Sequence, residues 1–150
     1  MERRSWTVRE LLTAAKDFLE KKQIESSRLN AEVLLAHLLG TNRVDLYLNF
    51  DQPLKEEEIS GFRALIKRRI GHEPLQYITG VQEFWSLDFA VGPDVLIPRP
   101  ESELLVETAL RRIVELTAQG VQSPRVLDLG TGCGALAVSL ARESASCDIL

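Results

Sequence analysis

Apolar residues recur along the first seventy positions with the period of an α-helix. Val8, Leu11, Leu12, Ala15, Phe18 and Leu19 form the first stripe, a spacing that gathers them on one helix face. Thr7 and Glu10 stand just ahead of it as a capping box, each satisfying a backbone amide near the other. This helix is predicted to end near Lys22. Ser27 can cap a second, with Leu29, Val33, Leu34, Ala36, His37 and Leu38 turned inward and Gly40 as its stop. Thr41 is placed to start a short third helix through Leu46 and Tyr47. After Pro53, a fourth carries Ile59, Phe62, Leu65, Ile66 and Ile70 and closes at Gly71. Four helices with short connections predict a small antiparallel bundle over residues 1–76.

The period changes after Pro74. QYITGVQEFWSLDFAVGPDVLIP mixes aromatic, β-branched and turn-forming residues. It predicts strands near Glu83–Ala90 and Val95–Ile97, joined through Gly92-Pro93-Asp94. Residues 77–98 are therefore expected to form a β-hairpin linker, with Phe84, Trp85 and Phe89 as its packing surface or as a cover over a ligand. Helical spacing returns from Glu101 to about Ala118, with Leu104, Leu105, Ala109, Ile113 and Leu116 on one face. An apolar strand, Arg125 to Leu129, then enters a glycine-rich turn. A helix follows from Ala135 to Arg142, and Cys147 to Leu150 opens another strand. Strand, helix, strand is the start of a parallel α/β sheet. Such a sheet needs more neighbours than residues 99–150 supply, so the chain is expected to be a fragment of a longer protein. The fold class expected is α+β: a helical bundle, a hairpin linker, and the truncated start of an α/β domain.

Composition refines this only slightly. The 150 residues are 45% hydrophobic and 27% charged, an ordinary globular balance. No apolar run reaches the roughly 18 residues that span a bilayer. MERRSWTVRE lacks the apolar core of a secretory signal, so a cytoplasmic protein with no membrane partner is expected. Cys133 and Cys147 are too few for a disulfide framework, and no Cys/His spacing suggests a metal. The net charge of −4 divides into +1 over residues 1–76 and −5 over the rest. The dense basic run Lys67 to Arg69 fits a solvated helix face, or contact with a polyanion or an acidic partner.

The chemistry lies in VLDLGTGCGALAVSLA, Val126 to Ala141. Gly130, Gly132 and Gly134 free the backbone to turn sharply and to approach a ligand. The helix behind them aims unpaired amides and the positive end of its dipole at the turn. Both nicotinamide and S-adenosylmethionine enzymes use this geometry, and Gly130 to Ala135 satisfies the GxGxxA dinucleotide fingerprint. Asp128 shifts the balance. A carboxylate two residues before the first glycine repels a pyrophosphate and favours a ligand bearing a sulfonium and an ammonium. S-adenosylmethionine is thus preferred to NAD. Asp128 can equally cap the turn by bonding backbone amides.

VLDLGTGCGALAVSLA resembles the first motif of class I S-adenosylmethionine-dependent methyltransferases. LIPRPESELLVE, Leu96 to Glu107, and PLQYITGVQEFWSLDF, Pro74 to Phe89, are more specific. They resemble the HemK/PrmC family, which methylates a glutamine side-chain amide in peptide chain release factors, and the helical front half is similar to that family's N-terminal domain. The resemblance implies that the bundle docks the release factor and that the α/β domain is Rossmann-like. It implies that Asp128, Gly130, Thr131, Gly132, Cys133 and Gly134 hold the cofactor. It places Arg99, Pro100 and Glu101 in a loop near the pocket, although two prolines and a favourable dipole position explain them equally well as structure. The family's amide-binding Asn-Pro-Pro-Tyr motif does not occur in these 150 residues. The catalytic residues are therefore expected beyond Leu150, and the chain alone is expected to be inactive. The glutamine-bearing loop of a release factor is the partner expected, without direct nucleic-acid contact. A protein-binding helical module, a nicotinamide enzyme and a related nucleic-acid amino-methyltransferase are the alternatives.

Overall fold

A computed structural model describes residues 6–145 and 147–150. They divide into two compact units, with the boundary between Thr79 and Gly80. The first unit is helical. The second joins helices to two small sheets.

In the first unit, α1 spans Val8–Lys21, α2 Ser27–Leu39, α3 Arg43–Leu48, α4 Glu56–Ile70 and α5 Leu75–Thr79. The capping box on α1 forms as the sequence predicts. Thr7 Oγ1 accepts the Glu10 amide at 3.3 Å, and Glu10 Oε2 accepts the Thr7 amide at 3.1 Å. Gly40 ends α2 in the left-handed region at φ 63°. Asn42, rather than Thr41, caps α3 by accepting the Asp45 amide at 2.9 Å. Leu19, Leu34, Leu35, Leu46 and Phe62 are fully buried in one core, each contributing about 1.5–3 kcal/mol by leaving water. His37, expected on the apolar face of α2, is exposed instead. The helix turns Ala31, Leu34 and Leu35 inward, and the 100° step per residue then carries position 37 outward.

The α2 helix also buries a charge. The Glu32 side chain is only 4% exposed, and Arg28 Nε and Arg43 Nη2 reach its two oxygens at 2.8 and 2.6 Å. The Tyr47 hydroxyl donates to the same carboxylate and accepts from Arg28 Nη2 at 2.8 Å. Burial pushes the Glu32 carboxyl up, but the hydrogen bonds from Tyr47, Arg28 and Arg43 outweigh it and hold the group below the usual carboxylate range. The cluster thereby ties α3 to α2 across a stretch where α3 buries only Leu46.

The second unit begins with an antiparallel hairpin, β1 Val81–Phe84 and β2 Leu87–Ala90. The sequence predicts one long strand here and a turn at Gly92-Pro93-Asp94. The chain instead reverses at Trp85-Ser86, with φ of 53° and 56°. Neither residue favours that region, which costs about 1–2 kcal/mol each, so no local signal announces the turn. Glu103 Oε1 accepts the Trp85 amide at 2.9 Å, and the Trp85 indole donates to Glu143 Oε1 at 3.2 Å. These bonds hold the turn from two distant parts of the unit. Phe84 and Phe89 meet edge to face at 6.3 Å and join Val106, Ala135 and Leu140 in the core. The hairpin, expected as a linker over 77–98, is thus part of the second unit's packing.

No strand forms at Val95–Ile97, where Pro93, Pro98 and Pro100 withhold ladder donors. A 3-10 turn at Pro100–Ser102 leads into α6, Glu103–Ala118. Its buried residues are Val106 and Ile113, whereas Leu104 and Leu105 are 64% and 59% exposed. The two-residue strand β3, Arg125–Val126, pairs in parallel with β4, Asp148–Ile149. Between them runs α7, Ala135–Glu143, packed on α6. The pairing continues past the strands, with Leu150 donating to Val126 and Asp128 to Leu150, each at 2.9 Å. Strand character ends before Leu129, which is 83% exposed.

Glu32 generates a prediction. Its depressed pKa means that its stabilisation is fully present above the ordinary carboxylate value of about 4.3 and is lost as pH falls below it. Glu32→Gln is expected to cost about 1–3 kcal/mol at pH 7. Chemical denaturation at pH 7 and pH 3 should show less acid destabilisation in the variant than in the parent.

Candidate functional site

The candidate site is the turn that carries the chain from β3 into α7. Gly130, Gly132 and Gly134 adopt φ of 80°, 59° and 79°. These values are the reason for glycine, because steric crowding is not: an added Cβ would meet nothing at Gly130, and at Gly132 and Gly134 only atoms 4.0 and 3.7 Å away. The turn is therefore open on its outer side. Its own bonds are few. Gly134 donates to the Thr131 carbonyl and Val138 to the Gly134 carbonyl, both at 2.9 Å. No side chain caps α7, so the amides of its first turn face the site without a side-chain acceptor.

Asp128 stands at the other end. Its amide is consumed by the Leu150 carbonyl. Its Oδ2 is shielded from solvent and has no hydrogen-bond partner among the described residues. A buried oxygen left so costs about 1–3 kcal/mol. The capping role open to Asp128 on sequence grounds is not taken up: its side chain accepts no backbone amide of the turn. A ligand bearing a donor, above all a cationic one, would recover that cost. Cys133 is half-buried against the second unit's core, and Thr131 is exposed. Six of the expected residues, Asp128 and Gly130 to Gly134, thus fall within the one segment that leads from β3 to α7.

Arg99, Pro100 and Glu101 are exposed, with Arg99 preceding the 3-10 turn and Pro100 beginning it. Among the described residues, no hydrogen bond or ion pair joins any of them to the glycine turn. Sequence reasoning missed the residues that fix the site's flanks. Glu103 on α6 and Glu143 on α7 both hold Trp85, and their separation in sequence from it hides them. Ser139, buried in α7 with an unpartnered hydroxyl, likewise carries no local signal. Among the described residues, no cluster of His, Cys, Asp or Glu could hold a metal ion. None of their helices is long and apolar enough to cross a membrane.

A helical unit followed by a strand–glycine-turn–helix unit defines the class. Residues 10–80 match the family model of the PrmC N-terminal domain. The chain is 49% identical over 138 residues to a release factor glutamine methyltransferase of Geobacter sulfurreducens, which covers 92% of this chain and 46% of that protein. Proteins with the same name from Burkholderia pseudomallei and Escherichia coli are 52% and 45% identical over 77% and 84% of this chain, and over 39% and 43% of their own length. Residues 10–80 thus carry the PrmC N-terminal domain, and most of the chain is similar to release factor glutamine methyltransferases. The chain spans somewhat under half the length of these relatives.

The turn's geometry predicts a rank order. Gly132→Ala should destabilise the second unit by about 1–2 kcal/mol, because alanine resists the left-handed region. Gly132→Asn should cost less, since asparagine tolerates it. Denaturant unfolding of both variants checks this, and equal costs would mean that backbone conformation does not dictate this glycine.

Proposed function

We propose that the chain contributes the substrate-docking bundle and one side of the cofactor pocket to an S-adenosylmethionine-dependent methyltransferase whose substrate is the glutamine side-chain amide of peptide chain release factors. The observation that carries this reading is the unpartnered Asp128 oxygen beside an open glycine turn, taken together with the names of the relatives. In this reading the second unit is the beginning of a Rossmann-like class I domain, for which the parallel β3–α7–β4 arrangement is support.

The residues present suit this cofactor. Gly130 to Gly134 offer close backbone approach, the first amides of α7 offer donors, and Asp128 offers an acceptor for an ammonium group. A pyrophosphate would meet the same carboxylate as a repulsion. When bound, S-adenosylmethionine supplies an electrophilic methyl group on a sulfonium. The chain's own part is to hold and orient. A glutamine amide nitrogen is a weak nucleophile, since its lone pair is delocalised into the carbonyl. Positioning is then the main source of acceleration. Polar acceptors for the amide hydrogens belong, in this reading, to the length of the relatives that this chain does not span. Arg99 and Glu101 are exposed, with no side-chain partner among the described residues, and are available to the substrate or the cofactor.

Transfer of radiolabelled methyl from S-adenosylmethionine to a purified release factor tests the proposal. A protein spanning the relatives' full length should label the factor at one glutamine, and replacing that glutamine should abolish labelling. The 150-residue chain alone should label nothing. Turnover by the chain alone, or no transfer by the longer protein, would overturn the reading.

A further inference from the structure

The first unit carries a groove that the cofactor site does not use. Helix α2 packs against both α1 and α4, while α1 and α4 meet each other only lightly. The opening left between them is a groove of about 500 Å³. Its lining is apolar except for Arg63 and Lys67. Trp6 stands near one end and Ile70 contributes from α4. Phe18, from α1, is 42% exposed there, although it lies on the stripe that the helix otherwise buries. Apolar side chains left open in this way lower the free energy of a partner that covers them.

The charged residues that line the groove have one sign. Arg63 and Lys67 lie one turn apart on α4, and both are exposed. Neither has an ion-pair or hydrogen-bond partner for its head group among the described residues. Their helix offers none, because positions 59, 60, 64, 66, 70 and 71 are Ile, Ser, Ala, Ile, Ile and Gly. Lys22 adds a third cation, its ammonium 5.9 Å from the centre of the Phe18 ring. By contrast, the neighbouring Arg68 is already paired with Glu73, and Arg69 with Asn30. The groove therefore combines an apolar floor with a rim of uncompensated positive charge.

From Leu11 to Phe18 the floor runs about 10 Å, or two helical turns. That length suits an amphipathic helix presenting apolar anchors at positions i, i+3, i+4 and i+7. The rim asks for carboxylates beside those anchors. Nucleic acid fits less well. Residues 1–76 carry a net charge of only +1, too little to neutralise a phosphate backbone, and most of the floor is aliphatic.

We infer that the groove between α1 and α4 seats an acidic, amphipathic helical segment of the protein substrate. This rests on the proposed function, in which that substrate is a release factor. The groove belongs to the first unit and the glycine turn to the second, so its residues can be substituted without altering those of the turn.

The chain contains two tryptophans, Trp6 at the groove and Trp85 in the hairpin. Incorporating 5-fluorotryptophan makes Trp6 a local reporter that an unlabelled partner cannot obscure. Titration with a purified release factor should shift the Trp6 fluorine resonance saturably. Arg63→Glu with Lys67→Glu should weaken binding about tenfold or more and move the midpoint of that shift to correspondingly higher partner concentration. Phe18→Ala should weaken binding too, with circular dichroism unchanged for each variant. Wild-type affinity in these variants, or a bound complex in which Trp6 does not move, would overturn the groove while leaving the proposed function standing. Absence of any binding would overturn both. A Trp6 shift driven by transfer RNA, or by raising the concentration of the chain alone, would assign the groove to nucleic acid or to a second copy and overturn the inference.

Discussion

The parallel pairing of β3 with β4 is the constraint on which the candidate site depends. It is short, yet it fixes both the direction and the end point of the chain before the glycine turn. The Asp128 amide is spent on the Leu150 carbonyl at 2.9 Å, which places that residue at the last rung of the ladder. Beyond it, three glycines with positive φ carry the backbone into α7. Helix α7 is itself anchored by Ala135 and Leu140 in the core and by Glu143 on Trp85. A strand end and a helix start are thus held apart by packing, and the turn between them remains open. The unpartnered Asp128 oxygen follows from this arrangement. No hydrogen bond from the turn amides reaches that oxygen among the described residues.

Each unit solves a different physical problem. The first builds a core around α2 and buries a carboxylate in it. Glu32 is tolerable there because Tyr47, Arg28 and Arg43 together return more than desolvation removes. Its partners come from α2 and α3, so one charge organises a short helix that has little core of its own. The second unit spends its packing on the hairpin. Trp85 and Ser86 hold left-handed conformations that their side chains disfavour, and carboxylates from α6 and α7 stabilise the result. Strain of this kind persists where surrounding structure over-determines it, and here it lies beside the helices that frame the site.

Much of this was legible in the residues wherever the cause is local. The Thr7–Glu10 box, the Gly40 stop and the glycine turn depend on contacts within a few positions, and the structure has all three. The family was legible for a different reason, since Pro74 to Phe89 and Leu96 to Glu107 are specific as strings. What the residues hid depends on distant partners. The hairpin turn at Trp85-Ser86 lacks glycine or asparagine because Glu103 does the work of holding it. Helical spacing marked Leu104 and Leu105 as inward, but α6 packs through Val106 and Ile113, seven residues apart on one face, and leaves both leucines exposed. His37 was misplaced because α2 is apolar around most of its surface and gives periodicity little to choose between. The open groove on the first unit was equally invisible, since Phe18 belongs to the same stripe as residues that are fully buried.

The central claim is that Asp128 and the glycine turn form a receptor for a cationic, phosphate-free cofactor. Isothermal titration of a protein spanning the relatives' full length, with S-adenosylmethionine and NAD and in parent and Asp128→Asn forms, tests it most directly. The account predicts that the parent binds S-adenosylmethionine and not NAD, and that the substitution weakens binding about tenfold or more. Equal affinity in the two forms, or preferential binding of NAD by the parent, would contradict it.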